Sequence, residues 1–122
     1  MDNDFPIGYN ELNNRRISRM VNKVNTEQFN ELMKEDAVLV DFSATWCGPC
    51  KMLTPIMASV SEKLAGKCKV VSVDVDESSD LAEKFGIMAV PTVILFKKGE
   101  QVNAFSGFIP EPKVLEFVEN NL

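Results

Sequence analysis

Two cysteines, Cys47 and Cys50, lie in the stretch Trp46-Cys47-Gly48-Pro49-Cys50-Lys51. A pair at this spacing can close a small disulfide ring and open it again. The stretch follows an apolar run, Val38-Leu39-Val40-Asp41-Phe42, and precedes a segment whose apolar residues recur at helical spacing from Met52 onward. A strand therefore hands the two thiols to the first turn of a helix. The unpaired N–H groups and the dipole at a helix start favour negative charge, so the first thiol ionises more readily than a free one. The thiolate is the attacking species in thiol–disulfide exchange. Cys47, nearer the loop, is the expected nucleophile, and Cys50, a turn inward, is placed to attack the mixed disulfide. Pro49 suits the helix start, where its missing N–H is not needed. A static structural disulfide is the competing reading, but cytosolic chains rarely keep one.

The rest of the composition removes other chemistries. With three cysteines and no histidine, the chain cannot complete a four-ligand Cys/His zinc site or a four-cysteine iron–sulfur site alone. Haem attachment of the Cys-x-x-Cys-His type fails because Lys51 follows Cys50. The net charge is −5 with scattered basic residues, which argues against nucleic acid or an anionic membrane as partner. Asp74, Asp76, Glu77 and Asp80 lack the spacing of an EF-hand loop and read as a solvated turn. No stretch approaches the roughly 20 apolar residues of a membrane span. The acidic start, Met1-Asp2-Asn3-Asp4, has no signal-peptide character, so a cytoplasmic location is expected.

The elements that must position the cysteines follow from periodicity. Residues 1–18 read as an extension that is partly disordered, with Arg15-Arg16-Ile17-Ser18 as a chance match to a kinase site; residues 19–122 form one domain. Met20 to Val24 is a weak strand. Asn25 or Thr26 caps a helix, with Gln28 placed for a capping box and Phe29, Leu32 and Met33 on its buried face. Ala37 to Ala44 is a strand buried on both faces and interrupted by Asp41. Leu53, Ile56, Met57, Val60 and Leu64 form the stripe of the next helix, which contains Pro55 and stops near Gly66. Lys69 to Val75 is a strand. A short helix with Leu81, Ala82 and Phe85 inward ends at Gly86. Thr92 to Phe96 and Gln101 to Phe105 pair across a turn at residues 97–100. Pro110 and Pro112 precede a last helix burying Val114, Leu115, Val118 and Leu122. The order β-α-β-α-β-α-β-β-α predicts an α/β domain, parallel in its first part with a late antiparallel hairpin.

The run Asp41-Phe42-Ser43-Ala44-Thr45-Trp46-Cys47-Gly48-Pro49-Cys50-Lys51 resembles the active-site stretch of the thioredoxin family. Val90-Pro91-Thr92, Lys98-Gly99 and Gly107 fall at that family's other signature positions, and the likeness runs from about Val21 to Leu122. The resemblance implies a thioredoxin fold, a central mixed five-stranded sheet flanked by four helices. It implies a monomeric protein-disulfide reductase cycling between a Cys47–Cys50 dithiol and disulfide. No cofactor is held. A separate flavin-containing thioredoxin reductase recharges it, and disulfide-bonded client proteins are its substrates. Trp46, Gly48, Pro49, Val90, Pro91 and Gly107 would form an apolar rim around Cys47, with the Val90 backbone pairing to an extended client segment. On sequence alone Val90–Pro91 is expected to be trans, since only about 5–6% of such bonds are cis; the resemblance reverses this.

The family likeness also gives Asp41 a role, proton exchange with Cys50. Independently, a carboxylate inside a buried strand has its pKa raised by desolvation; the alternative is an Asp on an exposed strand face. Three positions depart from common family patterns. Ser43 stands where many members carry a second tryptophan, Ser72 where some bacterial members place a lysine, and Phe108 where a smaller residue is usual. Cys68 reads as a passive thiol and Lys51 as a solvated residue that favours the nearby thiolate. A disulfide oxidase or isomerase of the same fold, and a binding subunit without exchange chemistry, are the rival readings. The Gly-Pro dipeptide points to the reducing members, since their oxidising relatives usually carry histidine between the cysteines.

Overall fold

The apolar run Ala37–Phe42 has no polar face, so it can only be a strand covered on both sides. A computed structural model describes residues 21–122 and puts this run at the centre. Its elements are β1 (Asn22–Lys23), α1 (Thr26–Leu32), β2 (Ala37–Ser43), α2 (Gly48–Lys63), β3 (Lys69–Asp74), α3 (Ser79–Lys84), β4 (Thr92–Lys97), β5 (Glu100–Ser106) and α4 (Glu111–Asn121). The sheet order is β1-β3-β2-β4-β5. β1 and β2 pair with β3 in parallel, whereas β4 pairs antiparallel with both β2 and β5. This is the expected five-stranded mixed sheet, with four helices among the described residues.

Alternation along β2 sorts two cores. Ala37 and Leu39 face Leu53, Met57 and Val60 of α2 and Leu64 just past its end, with Val114 and Val118 of α4 in the same cluster. Val38, Val40 and Phe42 face the other side, toward Phe29 of α1 and Leu81 of α3. Leu39, Leu53, Met57 and Leu95 are 0% exposed, and complete burial of each such side chain contributes roughly 1.5–3 kcal/mol. On the second face the Phe29 ring meets Phe85 and Phe96 edge-on, each at 5.5 Å between centroids.

Local signals end the elements where the sheet needs them to end. The Asn25 side chain accepts the Gln28 N–H at 2.8 Å, and the Gln28 side chain accepts the Asn25 N–H at 2.9 Å, a reciprocal capping box. At the β4–β5 turn Lys98 and Gly99 have φ of 52° and 83°, the left-handed pair that a two-residue hairpin requires. The Glu111 carboxylate takes hydrogen bonds from Ser59 and Lys63, which ties the start of α4 to α2.

Several expectations need correction. The first strand is only Asn22–Lys23; Met20 and the 1–18 extension, including the Arg15-Arg16-Ile17-Ser18 match, lie outside the described residues. β2 stops at Ser43 and β3 at Asp74, one residue early in each case. Pro112 does not precede the last helix but lies in its first turn, where a missing N–H is harmless. Leu122 falls beyond that helix and is 43% exposed, not buried. Ala82 is only half-buried on the short α3. The acidic stretch is not uniformly solvated, because Asp74 is buried.

One polar group breaks the α2-facing core. Asp41, two residues along from Leu39, is 3% exposed, and its Oδ1 has no hydrogen-bond partner among the described residues. Burial pushes its carboxyl from 3.8 up to about 7. Between those values the native carboxyl holds a proton that the unfolded chain has released, so stability falls as pH rises through that window. Full expression of this gap corresponds to roughly 4 kcal/mol. Asp41→Asn removes the titration. Its stability relative to wild type is expected to improve by about 3 kcal/mol between pH 4 and pH 8. Urea unfolding at the two pH values measures this, and a pH-independent difference refutes it.

Candidate active site

A helix start exposes N–H groups, and here a sulfur covers one of them. Cys47 is the N-cap of α2 in an extended conformation, and its Sγ accepts the Cys50 N–H at 3.2 Å. The two cysteines are joined in a disulfide with their Cα atoms 5.3 Å apart, within the ordinary range for such a bridge. Thr54 Oγ1 donates to the Cys50 carbonyl at 3.0 Å, and α2 continues through Pro55. A hydrogen bond from the backbone and the helix dipole both stabilise negative charge on Cys47 Sγ when the bridge opens.

A second loop reaches the same sulfur. The Val90–Pro91 bond is cis, as the family resemblance required and against the ordinary prior for such bonds. The Val90 carbonyl oxygen lies 3.6 Å from Cys47 Sγ. The Gly107 N–H donates to the Pro91 carbonyl at 2.8 Å, and Gly107 takes φ of 87°, a region that favours glycine. Thr92 Oγ1 donates to the Ala89 carbonyl at 2.6 Å and meets Ser106 Oγ at 3.0 Å. Val90, Pro91 and Gly107 are thereby gathered beside Cys47. Gly48 and Pro49 are exposed on the helix start. Trp46 is 68% exposed, so it is surface and not core. Its indole N–H donates to Asp76 Oδ2 at 2.9 Å.

On the other side of the pair polar and apolar groups mix. A cleft of about 320 Å³ is lined by Cys50, Lys51 and Thr54 of α2, by Lys23, Ser43 and Asp74 of the sheet, and by Ala44 and Thr45 of the loop between β2 and α2. Lys23 binds Glu77 at 2.9 Å at its edge. Asp41 lies on the sheet face that α2 covers, in register with Ser72 of β3 and Val93 of β4. Its carboxyl, held near 7 by desolvation, is in the range where it can both accept and return a proton near neutrality. Cys68 belongs to the α2-facing core, and burial pushes its thiol up to about 11. That accords with a passive thiol. Lys51 is exposed.

Two features escaped the sequence reading. Asp76, taken as part of a solvated turn, holds the indole of Trp46. Met88 is 94% exposed two residues before Val90; Phe108, which the sequence already singled out, is 42% exposed next to Gly107 in the chain. No periodicity marks Asp76; only the register of β2 on β3, Ser43 opposite Asp74, brings its loop next to that of Trp46.

Comparison with known proteins gives one answer. The family model described as Thioredoxin matches residues 20–120. A thioredoxin of Staphylococcus saprophyticus is 41% identical over 100 residues, 82% of this chain and 96% of that protein. One from Rickettsia bellii is 42% identical over 105 residues, 84% of this chain and all of that protein. A solved thioredoxin variant from Halobacterium salinarum superposes with a TM-score of 0.78 at 34% identity, covering 85% of this chain and 92% of its own. Likeness on this scale, around a cysteine pair bridged at a helix start, makes the chain a member of the thioredoxin family, whose members are thiol–disulfide oxidoreductases.

Proposed function

We propose that the chain reduces disulfides in client proteins, with Cys47 as nucleophile, Cys50 as resolving thiol and Asp41 as the proton acceptor and donor. The observation that carries this reading is the Cys47–Cys50 bridge at the N-terminus of α2, with Cys47 Sγ against the Val90 carbonyl. In the reduced protein the Cys47 thiolate attacks one client sulfur. The client S–S bond breaks, and its second sulfur leaves as a thiolate that takes up a proton. Asp41 accepts the Cys50 proton, and the Cys50 thiolate attacks Cys47 Sγ. The first client sulfur is released and protonated as the Cys47–Cys50 bond forms. Two electrons have passed to the client, and a thioredoxin reductase returns them to the pair.

Trp46, Gly48, Pro49, Val90, Pro91 and Gly107 serve as the client-binding rim. The Val90 N–H has no hydrogen-bond partner among the described residues, so an extended client segment can pair there as an added strand. One chain supplies every group named, which suits a monomer. The cytoplasm suits a pair that must be kept reducible and a free Cys68. No helix among the described residues is long and apolar enough to cross a membrane.

Reduction of insulin with dithiothreitol as stoichiometric donor tests the assignment. Cys47→Ser is expected to abolish catalysis, whereas Cys50→Ser should accumulate a mixed disulfide with the client, visible by mass spectrometry. Retained activity in Cys47→Ser would reverse the reading. The wild-type rate should rise with pH through about 7, where the Asp41 carboxyl loses its proton. Asp41→Asn is expected to lose that inflection and to slow resolution on the order of tenfold or more, as loss of a general base does. An unchanged profile removes Asp41 from the proton step.

A further inference from the structure

A tryptophan 68% exposed would ordinarily sample several rotamers, yet Trp46 is held. The chain of contacts that holds it begins in the core. Asp74, buried at the end of β3, accepts the backbone N–H groups of Asp76 and Glu77 at 2.8 and 3.1 Å, which sets the turn leaving the sheet. Lys23 grips the next residue of that turn, Glu77, at 2.9 Å. The intervening Asp76 carboxylate is thereby aimed across to the loop after β2, where it accepts the indole N–H at 2.9 Å. Thirty residues of chain separate Trp46 and Asp76, but Ser43 and Asp74 are register partners, so the two loops leave the sheet side by side.

We propose that Asp76 is a positioning residue for client recognition, holding the Trp46 indole so that its ring is presented, already ordered, beside Cys47. The proposal rests on the reading of Trp46 as part of the client-binding rim. Ordering one rotamer-rich side chain on binding weakens an interface by about three- to tenfold. In this protein the Asp76 bond orders the ring before the client arrives. A client broad enough to cover the rim gains from that; a disulfide small enough to reach Cys47 without touching Trp46 does not.

The test compares Asp76→Ala, Asp76→Asn and Trp46→Ala on insulin and on cystine, with dithiothreitol as donor. Asp76→Ala is expected to raise the KM for insulin about three- to tenfold with kcat within about twofold, and to leave cystine reduction unchanged. It should also lower the fluorescence anisotropy of Trp46, the only tryptophan in the chain. Asp76→Asn keeps an oxygen acceptor for the indole and is expected to behave as wild type in all three measurements. Trp46→Ala should raise the insulin KM at least as far as Asp76→Ala, and the double variant no further than Trp46→Ala. A wild-type KM in Asp76→Ala while Trp46→Ala is impaired overturns the proposal alone. An Asp76→Asn variant as impaired as Asp76→Ala assigns the effect to charge and also overturns it. Equal losses on cystine point to damaged thiol chemistry, again against positioning. An unchanged KM in Trp46→Ala removes the rim reading and the proposal with it.

Discussion

The parallel pairing of β2 with β3, in the register that sets Ser43 opposite Asp74, is the contact on which the site depends. A slip of one residue would send every β2 side chain to the opposite face, taking Asp41 out from under α2 and Phe42 out of the aromatic core. In the register adopted, both strands end together and release their loops at one end of the sheet. One loop carries the cysteines and the other the acidic turn that holds Trp46. β4 runs the other way, with Phe42 opposite Thr92, so its start brings Val90–Pro91 to that same end. Ser106 pairs with Thr92 and delivers Gly107. Four strands thus converge their ends on one sulfur pair. The carboxyl ends of parallel strands are where open α/β sheets commonly bind ligands.

Asp41 shows what that placement demands. Everything about its position argues for an apolar residue: Leu39 and Val93 beside it, α2 above it, and no hydrogen bond to its Oδ1 among the described residues. Desolvation is the sole cause of its raised pKa; Ser72, in register beside it, brings no charge. A group tuned only by burial responds to one variable, the polarity of its pocket. Asp41 breaks the local rule for a buried strand, and such breaks are expected mainly at functional sites.

Much of this was legible in the chain because short-range physics decided it. The two-faced apolar run of β2, the helical stripes of α2 and α4, the Asn25–Gln28 capping box and the Lys98-Gly99 turn are local patterns with local causes. The cysteine pair was legible for the same reason, since its spacing and its place at a helix start are both local. What failed to show depends on distant contacts or on where an element stops. The cis bond at Val90–Pro91 contradicts the prior for such bonds and reached the reading only through family likeness. Pro112 tolerated inside the first turn and Leu122 left outside the last one are boundary effects, where propensity and packing nearly balance. Asp76 looked like any exposed acid because its partner is set by strand register, which the residues of its own turn do not encode.

The two thiols illustrate how a fold separates roles that sequence makes nearly equivalent. Exposure does not distinguish them in the bridged form, at 5% for Cys47 and 2% for Cys50. Their surroundings do. Cys47 Sγ takes a helix N–H, which favours its anion, and lies 3.6 Å from the Val90 carbonyl oxygen. Cys50 borders a cleft whose other walls are Lys23, Ser43, Ala44, Thr45, Lys51, Thr54 and Asp74, where charged and hydroxyl-bearing side chains stand among apolar ones. The division of labour proposed for Cys47 and Cys50 is supported by this difference: the helix N–H and the Val90 carbonyl meet one sulfur, and the cleft opens beside the other.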